Sequence, residues 1–324
     1  MKIRLMWFSF GAGLVLMATK FAAYAITHSN AILTDALESI INVIAAGFAL
    51  FSLYVAARPK DVNHPYGHGK IEFFSAGFEG ALIMLAGGYI LFFSIQRLFY
   101  PVPIENLPLG MLLTGITVAG NGALSYVLQR EGKRTGSITL MADGKHLWVD
   151  SLSSLLLVLG VGLVYVTGYQ RLDSILSVGF AVYILYNGLL LVRQSVAGLM
   201  DETDLDTLEK VVEILRSNQS EGWIDVHNLR VQRYGSDLHI DCHVTLPYYW
   251  DLQKVHEETT AISELVEGRF PGSVEFSIHA DPCLPPVQCT YCRLPGCPVR
   301  QAPHSRDIAW EIENVARNQK HFEG

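Results

Sequence analysis

Charge is scarce in this chain: Asp, Glu, Lys and Arg make up 17% of 324 residues, well below the roughly 25% usual for a soluble domain. Half of the residues are hydrophobic and the mean hydropathy is +0.27, a composition that points to membrane class. Catalytic signatures are lacking as well. The chain has no nucleophile elbow, no phosphate-cradling glycine-rich loop and no other recognisable nucleophile motif, which argues against an enzyme. Basic charge is missing where a nucleic acid would need it, because residues 201–324 hold 11 Lys and Arg against 21 Asp and Glu, about −10. Residues 1–200 hold 13 against 10, so a domain boundary falls near residue 200.

What the chain does have is long apolar runs. They lie near 6–27, 31–57, 73–96, 107–128, 138–166 and 172–197, each long enough to cross about 30 Å of hydrocarbon as a helix. Breakers separate them at Arg58-Pro59-Lys60, Pro101 to Pro108, Glu131 to Arg134 and Gly168 to Arg171. The expected architecture is a membrane α-helical bundle of six transmembrane helices joined by short loops. With the N-terminus cytoplasmic, the inside flanks carry Lys2, Arg4, Arg58, Lys60, Lys70, Arg130, Lys133 and Arg134, whereas the outside flanks carry only Arg97 and Arg171. Both termini are then cytoplasmic, as in an integral protein of a bacterial inner membrane. A secretory signal over 1–25 ending in Ala23-Tyr24-Ala25 is the rival. Lys20 interrupts its apolar run, and five remaining spans would violate the charge rule.

Polar residues inside these runs are costly and so carry information. Lys20, Asp35, Glu79, Asn121 and Asp173 read singly as interhelical hydrogen-bond or ion-pair partners. Two pairs read differently. Glu38 with Asn42 and His146 with Asp150 are each one helical turn apart, so each pair shares a face. If the two helices touch, four side chains of metal-ligand type converge on a divalent cation.

Beyond residue 200 the pattern changes. Helical periodicity covers 204–217 and 251–268, and strand alternation covers 226–233, 237–246 and 273–280, giving the order αββαβ. Leu238, Ile240, Cys242 and Val244 alternate with His239, Asp241 and His243; Val274, Phe276 and Ile278 alternate with Glu275, Ser277 and His279, with Asp281 just beyond. An open-faced sandwich with a histidine-rich outer sheet follows. Cys242 reads as plain core. A tail over 283–324 places Cys283, Cys289, Cys292 and Cys297 in a C-x5-C-x2-C-x4-C pattern among prolines. In a cytoplasmic setting this favours a soft-metal knuckle over structural disulfides, with redox pairing and unligated thiols left open. A short amphipathic helix is expected over 305–319, around Ile308, Trp310, Ile312 and Val315, packed on the domain.

Three stretches carry a resemblance. The run 28–42 (HSNAILTDALESIIN), the loop 63–72 (NHPYGHGKIE) and the segment 142–151 (ADGKHLWVDS) resemble the cation diffusion facilitator, or cation-efflux, family, over residues 5 to about 282. The resemblance implies a homodimer with six spans per protomer, a cytoplasmic ferredoxin-like α+β domain over 201–282, and export of divalent metal in exchange for protons by alternating access. It assigns the transport site to Glu38, Asn42, His146 and Asp150. Here the second-span pair departs from the usual pattern, since Glu is longer than the common Asp and Asn removes a charge. It also implies a loop metal site at Asp61, His64 and His68, and a charge interlock of Lys70 with Asp201. In the cytoplasmic domain it implies a zinc site at His227, His243, His279 and Asp281, with His256 as an additional ligand. His239 fits no such role and reads as solvent-facing. Zinc is favoured by mixed nitrogen and oxygen ligation, with iron, cobalt and manganese open. A membrane-bound metal sensor without transport is the competing function. It predicts no flux, and an output set by His243 or the cysteines.

Overall fold

The computed structural model describes residues 2–27, 30–99, 107–167 and 171–321. The chain divides into two compact units, Met1–Met200 and Asp201–Gly324, and each is described by itself.

The first unit contains α1 (Lys2–Thr27), α2 (Asn30–Ala56), α3 (Ile71–Phe99), α4 (Leu107–Thr135), α5 (Ile138–Thr167) and α6 (Arg171–Leu199). Their bounds follow the apolar runs closely, because proline, glycine or charge follows the ends of α2 to α6. By length and hydropathy, Lys2–Ala22, Ile71–Gln96 and Ser177–Leu199 qualify as membrane spans among the described residues, and Asn42–Ala56 is a shorter apolar stretch. Burial is inverted relative to a water-soluble bundle. Phe8, Leu85, Phe92 and Phe99 are exposed, while Glu72, Glu79, Asn121, Asp143 and His146 are buried. Apolar side chains facing outward and ionisable ones facing inward are what a lipid solvent selects.

Helix pairing explains how the interior is reached. The most extensive contacts join α3 to α6, α4 to α5 and α1 to α2, and α5 also touches α2, α3 and α6. At the α3–α6 crossing a Cβ on Gly80 would meet the Gly188 carbonyl oxygen at 3.1 Å, and one on Gly188 would meet the Gly80 oxygen at 3.1 Å. Small residues let two backbones approach where no hydrophobic effect drives helices together. Buried hydroxyls find backbone partners nearby. Ser195 Oγ donates to the Phe73 oxygen at 2.7 Å, and Ser125 Oγ to the Gly144 oxygen at 2.7 Å.

The second unit contains α7 (Leu205–Ser217), β1 (Asp225–Tyr234), β2 (Asp237–Leu246), α8 (Leu252–Val266) and β3 (Val274–Pro282), in the expected order. Asp204 and Asp251 start the two helices by accepting from the Thr207 and Lys254 amides, as N-caps do. The sheet order is β1-β2-β3, with β1 antiparallel to β2 and β2 parallel to β3. A parallel pair needs a crossover, and α8 supplies it. Leu208, Val211 and Leu215 of α7 and Ile262 and Val266 of α8 share one core with Leu238, Ile240, Cys242 and Val244. Alternation therefore sends His239, Asp241 and His243 to the other face.

Two expectations need correction. The expected helix over 305–319 is a single turn, α9 (Ile312–Val315). Ile308, Trp310 and Ile312 are spaced by two, the period of extended chain, and Trp310 enters the domain core at 2% exposure. The tail also explains an irregularity in β1, where the register shifts between His227 and Arg230 and Asn228 has φ +53°. The amide freed from the ladder donates to the Arg317 oxygen at 2.7 Å. His239, expected to face solvent, is buried. Tyr234 meets its ring edge-on at 4.9 Å and Glu275 lies 3.3 Å from its Nδ1, so neighbouring strands cover it.

Candidate functional site

The i,i+4 spacing on α5 presents His146 and Asp150 on one face, and that face meets Asn42 of α2. His146 Nε2 lies 3.0 Å from Asn42 Oδ1 and 3.6 Å from Asp150 Oδ2, and Asn42 Nδ2 donates to Asp150 Oδ2. A carboxylate only accepts, so it fixes the amide with its nitrogen toward Asp150 and its oxygen toward the imidazole. The backbone of Glu38 belongs to α2, one turn before Asn42; its side chain lies outside the described residues, as do the side chains of Asp35 and Asp173.

A fourth group joins from α3. Glu79 is fully buried, and its Oε2 stands 3.3 Å from His146 Nδ1. Metal-binding histidines usually face a carboxylate with their second nitrogen, which fixes ring orientation and tautomer. The geometry thus leaves Nε2 as the nitrogen turned toward Asn42 and Asp150. The sequence reading of Glu79 as an ion-pair partner agrees with this placement, although nothing in its spacing connected it to His146. Asp143 has no spacing signal that singles it out in the sequence. It is buried one turn before His146 and accepts from Ser9 Oγ of α1 at 3.0 Å, so it adds a further carboxylate on α5 near the same centre.

The loop between α2 and α3 forms a second cluster. Asp61, His64 and His68 offer ligand atoms that all lie within 4.8 Å of one another. His64 Nδ1 is 3.1 Å and His68 Nε2 3.4 Å from the Asp61 carboxylate, with the two rings 4.3 Å apart. The Asn63 and His64 amides donate to Asp61 Oδ1 at 2.9 and 2.7 Å, an Asx turn that fixes the carboxylate before any ligand arrives. The His64 amide above all holds the Asp61 carboxyl below its ordinary range. Gly67, at φ +91°, supplies the left-handed step that returns the chain to His68.

The third cluster lies across the sheet. Register places His227 opposite His243 and His243 opposite His279, a row of one histidine per strand. His227, His243 and Asp281 have ligand atoms within 4.8 Å of one another. Asp281 Oδ2 is 3.4 Å from His227 Nε2 and 3.6 Å from His243 Nδ1, while Oδ1 is 3.5 Å from His279 Nε2. Burial and the adjacent His227 push His243 below the usual imidazole range, toward the neutral form that binds metal. The second nitrogen of His227 again faces a carboxylate, Asp225 Oδ2 at 3.4 Å. Burial raises the Asp225 carboxyl, but hydrogen bonds from His227 and His321 prevail and hold it low. Asp225 lies two residues before His227 on the same strand face, but it precedes the expected strand start at 226 and was not singled out. His321 and Lys320, which stands 3.4 Å from Asp281 Oδ2, arrive only because the tail folds back. His256 does not join this cluster within the chain. It is exposed on α8, and α8 covers the opposite face of the sheet.

The tail cysteines are all free thiols, with Cys283, Cys289 and Cys292 buried. No three of the four sulfurs lie within 4.8 Å of one another. Cys242 is core as expected, its thiol pushed up by burial and by Asp241. Lys70 directly precedes α3, and Asp201 follows α6 with φ +57°.

Comparison with known proteins matches both units of the chain. Residues 6–200 match the cation efflux transmembrane domain, and residues 203–283 match the cytoplasmic domain of cation efflux proteins. The chain is 37% identical over 279 residues to an uncharacterized transporter of Synechocystis, covering 86% of this chain and 89% of that one. It is 27% identical over 270 residues to the cation-efflux pump FieF of Escherichia coli, covering 83% and 89%. To metal tolerance protein C1 of Arabidopsis thaliana it is 28% identical over 278 residues, covering 81% of this chain and 58% of the plant protein. With both domains matched in order, and with helices that place nitrogen and oxygen ligands inside an apolar bundle, the chain belongs to the cation-efflux, or cation diffusion facilitator, family of membrane transporters.

Proposed function

We propose that this chain exports a divalent transition-metal ion, zinc foremost, in exchange for protons, working by alternating access in a homodimer with six spans per protomer. The meeting of Asn42, His146 and Asp150 inside the apolar unit carries this reading. Glu38, one turn from Asn42, completes the transport site. His146 ties metal to protons. Both its ring nitrogens face acceptor oxygens, Glu79 on one side and Asn42 on the other, an arrangement that a protonated ring satisfies. A proton on Nε2 occupies the position through which that nitrogen would bind a metal ion. Proton arrival therefore releases the ion, and ion arrival expels the proton.

The remaining clusters take supporting roles in this proposal. Asp61, His64 and His68 bind an ion beside the second and third spans. His227, His243, His279 and Asp281 bind zinc in the cytoplasmic domain and favour the dimer state that holds it, by ordinary linkage. Both termini face the cytoplasm of a bacterial cell. The acidic second unit raises the local cation concentration as a field effect.

Reconstituted proteoliposomes with an imposed pH gradient provide the test. The wild-type chain moves zinc and dissipates the gradient together, whereas Asp150→Ala moves neither. A wild-type chain that binds zinc but carries no flux would overturn transport in favour of a metal sensor. Flux that persists in Asp150→Ala would overturn the assignment of the site.

A further inference from the structure

The four tail cysteines serve none of the three clusters above, and their surroundings are specific. Cys283 follows β3 directly, and its amide donates to the Leu246 oxygen at 2.9 Å, so the segment leaves from the end of the sheet. Ile224 packs on Cys283 and Cys292. The sulfurs accept hydrogen bonds from main chain. The Tyr248 amide donates to Cys283, the Leu294 amide to Cys292, and the Gln301 amide to Cys289 at 3.5 Å. The Tyr249 hydroxyl reaches Cys297. Each thiol thus has a donor aimed at it.

Burial nonetheless pushes the Cys283 and Cys292 thiols up, so both rest as neutral thiols until a cation takes the place of the proton. A neutral S–H is a weak acceptor, whereas a thiolate gains fully from a fixed N–H. The local cation points the same way. Arg300 donates to the Cys289, Cys292, Leu294 and Ala302 carbonyl oxygens at 3.1, 3.0, 2.8 and 3.4 Å. It therefore folds the turn around its own guanidinium and leaves a positive charge beside Cys292, where it opposes part of the effect of burial. Four thiolates gathered without a cation would repel one another, so their natural counter-charge is a soft or borderline divalent ion.

We propose that Cys283, Cys289, Cys292 and Cys297 form a thiolate site for one zinc-class divalent ion that clips the C-terminal segment onto the cytoplasmic domain. In the structure no three of the sulfurs lie within 4.8 Å of one another, so binding an ion requires the cysteine side chains to turn inward on a backbone held by Arg300. The clip has work to do. Downstream of it the chain carries Trp310 into the domain core and Lys320 and His321 to the histidine row. Loss of the ion frees the segment that makes those contacts. The site is independent of the transport reading, since it needs only the cytoplasmic unit.

The test uses the purified full-length chain loaded with zinc or cobalt. The other ligand sets described above are nitrogen and oxygen, so sulfur signals report on this segment alone. Zinc-edge X-ray absorption of the wild-type chain shows sulfur scatterers, and cobalt gives thiolate-to-metal charge-transfer absorption. Paired Cys289→Ser and Cys292→Ser substitutions remove one metal equivalent per chain together with the sulfur signal. Asp150→Ala leaves that signal intact. Only nitrogen and oxygen around zinc, with no charge-transfer absorption from cobalt, would overturn the site; because this readout is taken on wild type, it stands even if the double variant fails to fold.

Discussion

Replacing Glu79 with Gln isolates one step of the transport site. The side chain is 1% exposed, both oxygens are buried without a hydrogen bond, and Oε2 lies 3.3 Å from His146 Nδ1. Gln keeps the volume and replaces the carboxyl with an amide, so packing of α3 is preserved while the imidazole loses the group that orients it. Loss of such a carboxylate partner weakens metal binding about 10–100-fold, about 1.4–2.7 kcal/mol. Zinc-dependent flux in proteoliposomes is the assay, read as KM against maximal rate, with the thermal unfolding midpoint in parallel. A 10–100-fold rise in KM with a small change in the midpoint is expected, and Glu79→Asp, which restores a carboxyl, recovers part of it. A purely structural role would move the midpoint and leave KM alone. An unchanged KM in Glu79→Gln would refute the orienting role and the assignment of Nε2 as the metal-facing nitrogen.

Two further perturbations test neighbouring claims. Asn42→Asp replaces the oriented amide between His146 and Asp150 with a carboxylate that repels Asp150. The variant is expected to change the ranking of Zn2+, Mn2+, Fe2+ and Co2+ in competition transport, and an unchanged ranking would show that Asn42 does not tune the ion. Gly198→Ala would drive a Cβ into the buried Phe73 ring. Overpacking at the α3–α6 interface should cost about 1–3 kcal/mol, seen as a lower unfolding midpoint in detergent, and an unaltered midpoint would mean that the helices do not cross this closely.

The elements themselves were legible in the sequence, since they rest on local physics. Apolar runs bounded by Pro, Gly and charge became α1 to α6, and period-two alternation put Cys242 and its neighbours in the core. The pairs four residues apart were legible for the same reason, because the helix alone decides that His146 and Asp150 share a face. Local pattern failed where burial depended on distant chain. His239 has the alternation of a solvent-facing residue, yet Tyr234 and Glu275 cover it. Residues 305–319 carry apolar side chains that suit a helix on paper, yet Trp310 is drawn into the domain core as extended chain.

The sequence by itself therefore determined the class of the protein, the location of its helices and strands, and the chemical types of its ligands, all of which depend on composition and near-neighbour spacing. Only the tertiary structure decided which ligands meet. Asn42 reaches His146 across 104 positions, Glu79 reaches it from a third helix, and three strands align His227, His243 and His279 into one row. Such meetings are set by helix crossings and strand register, which sum weak packing contributions over the whole fold and leave no signature in any short stretch of chain.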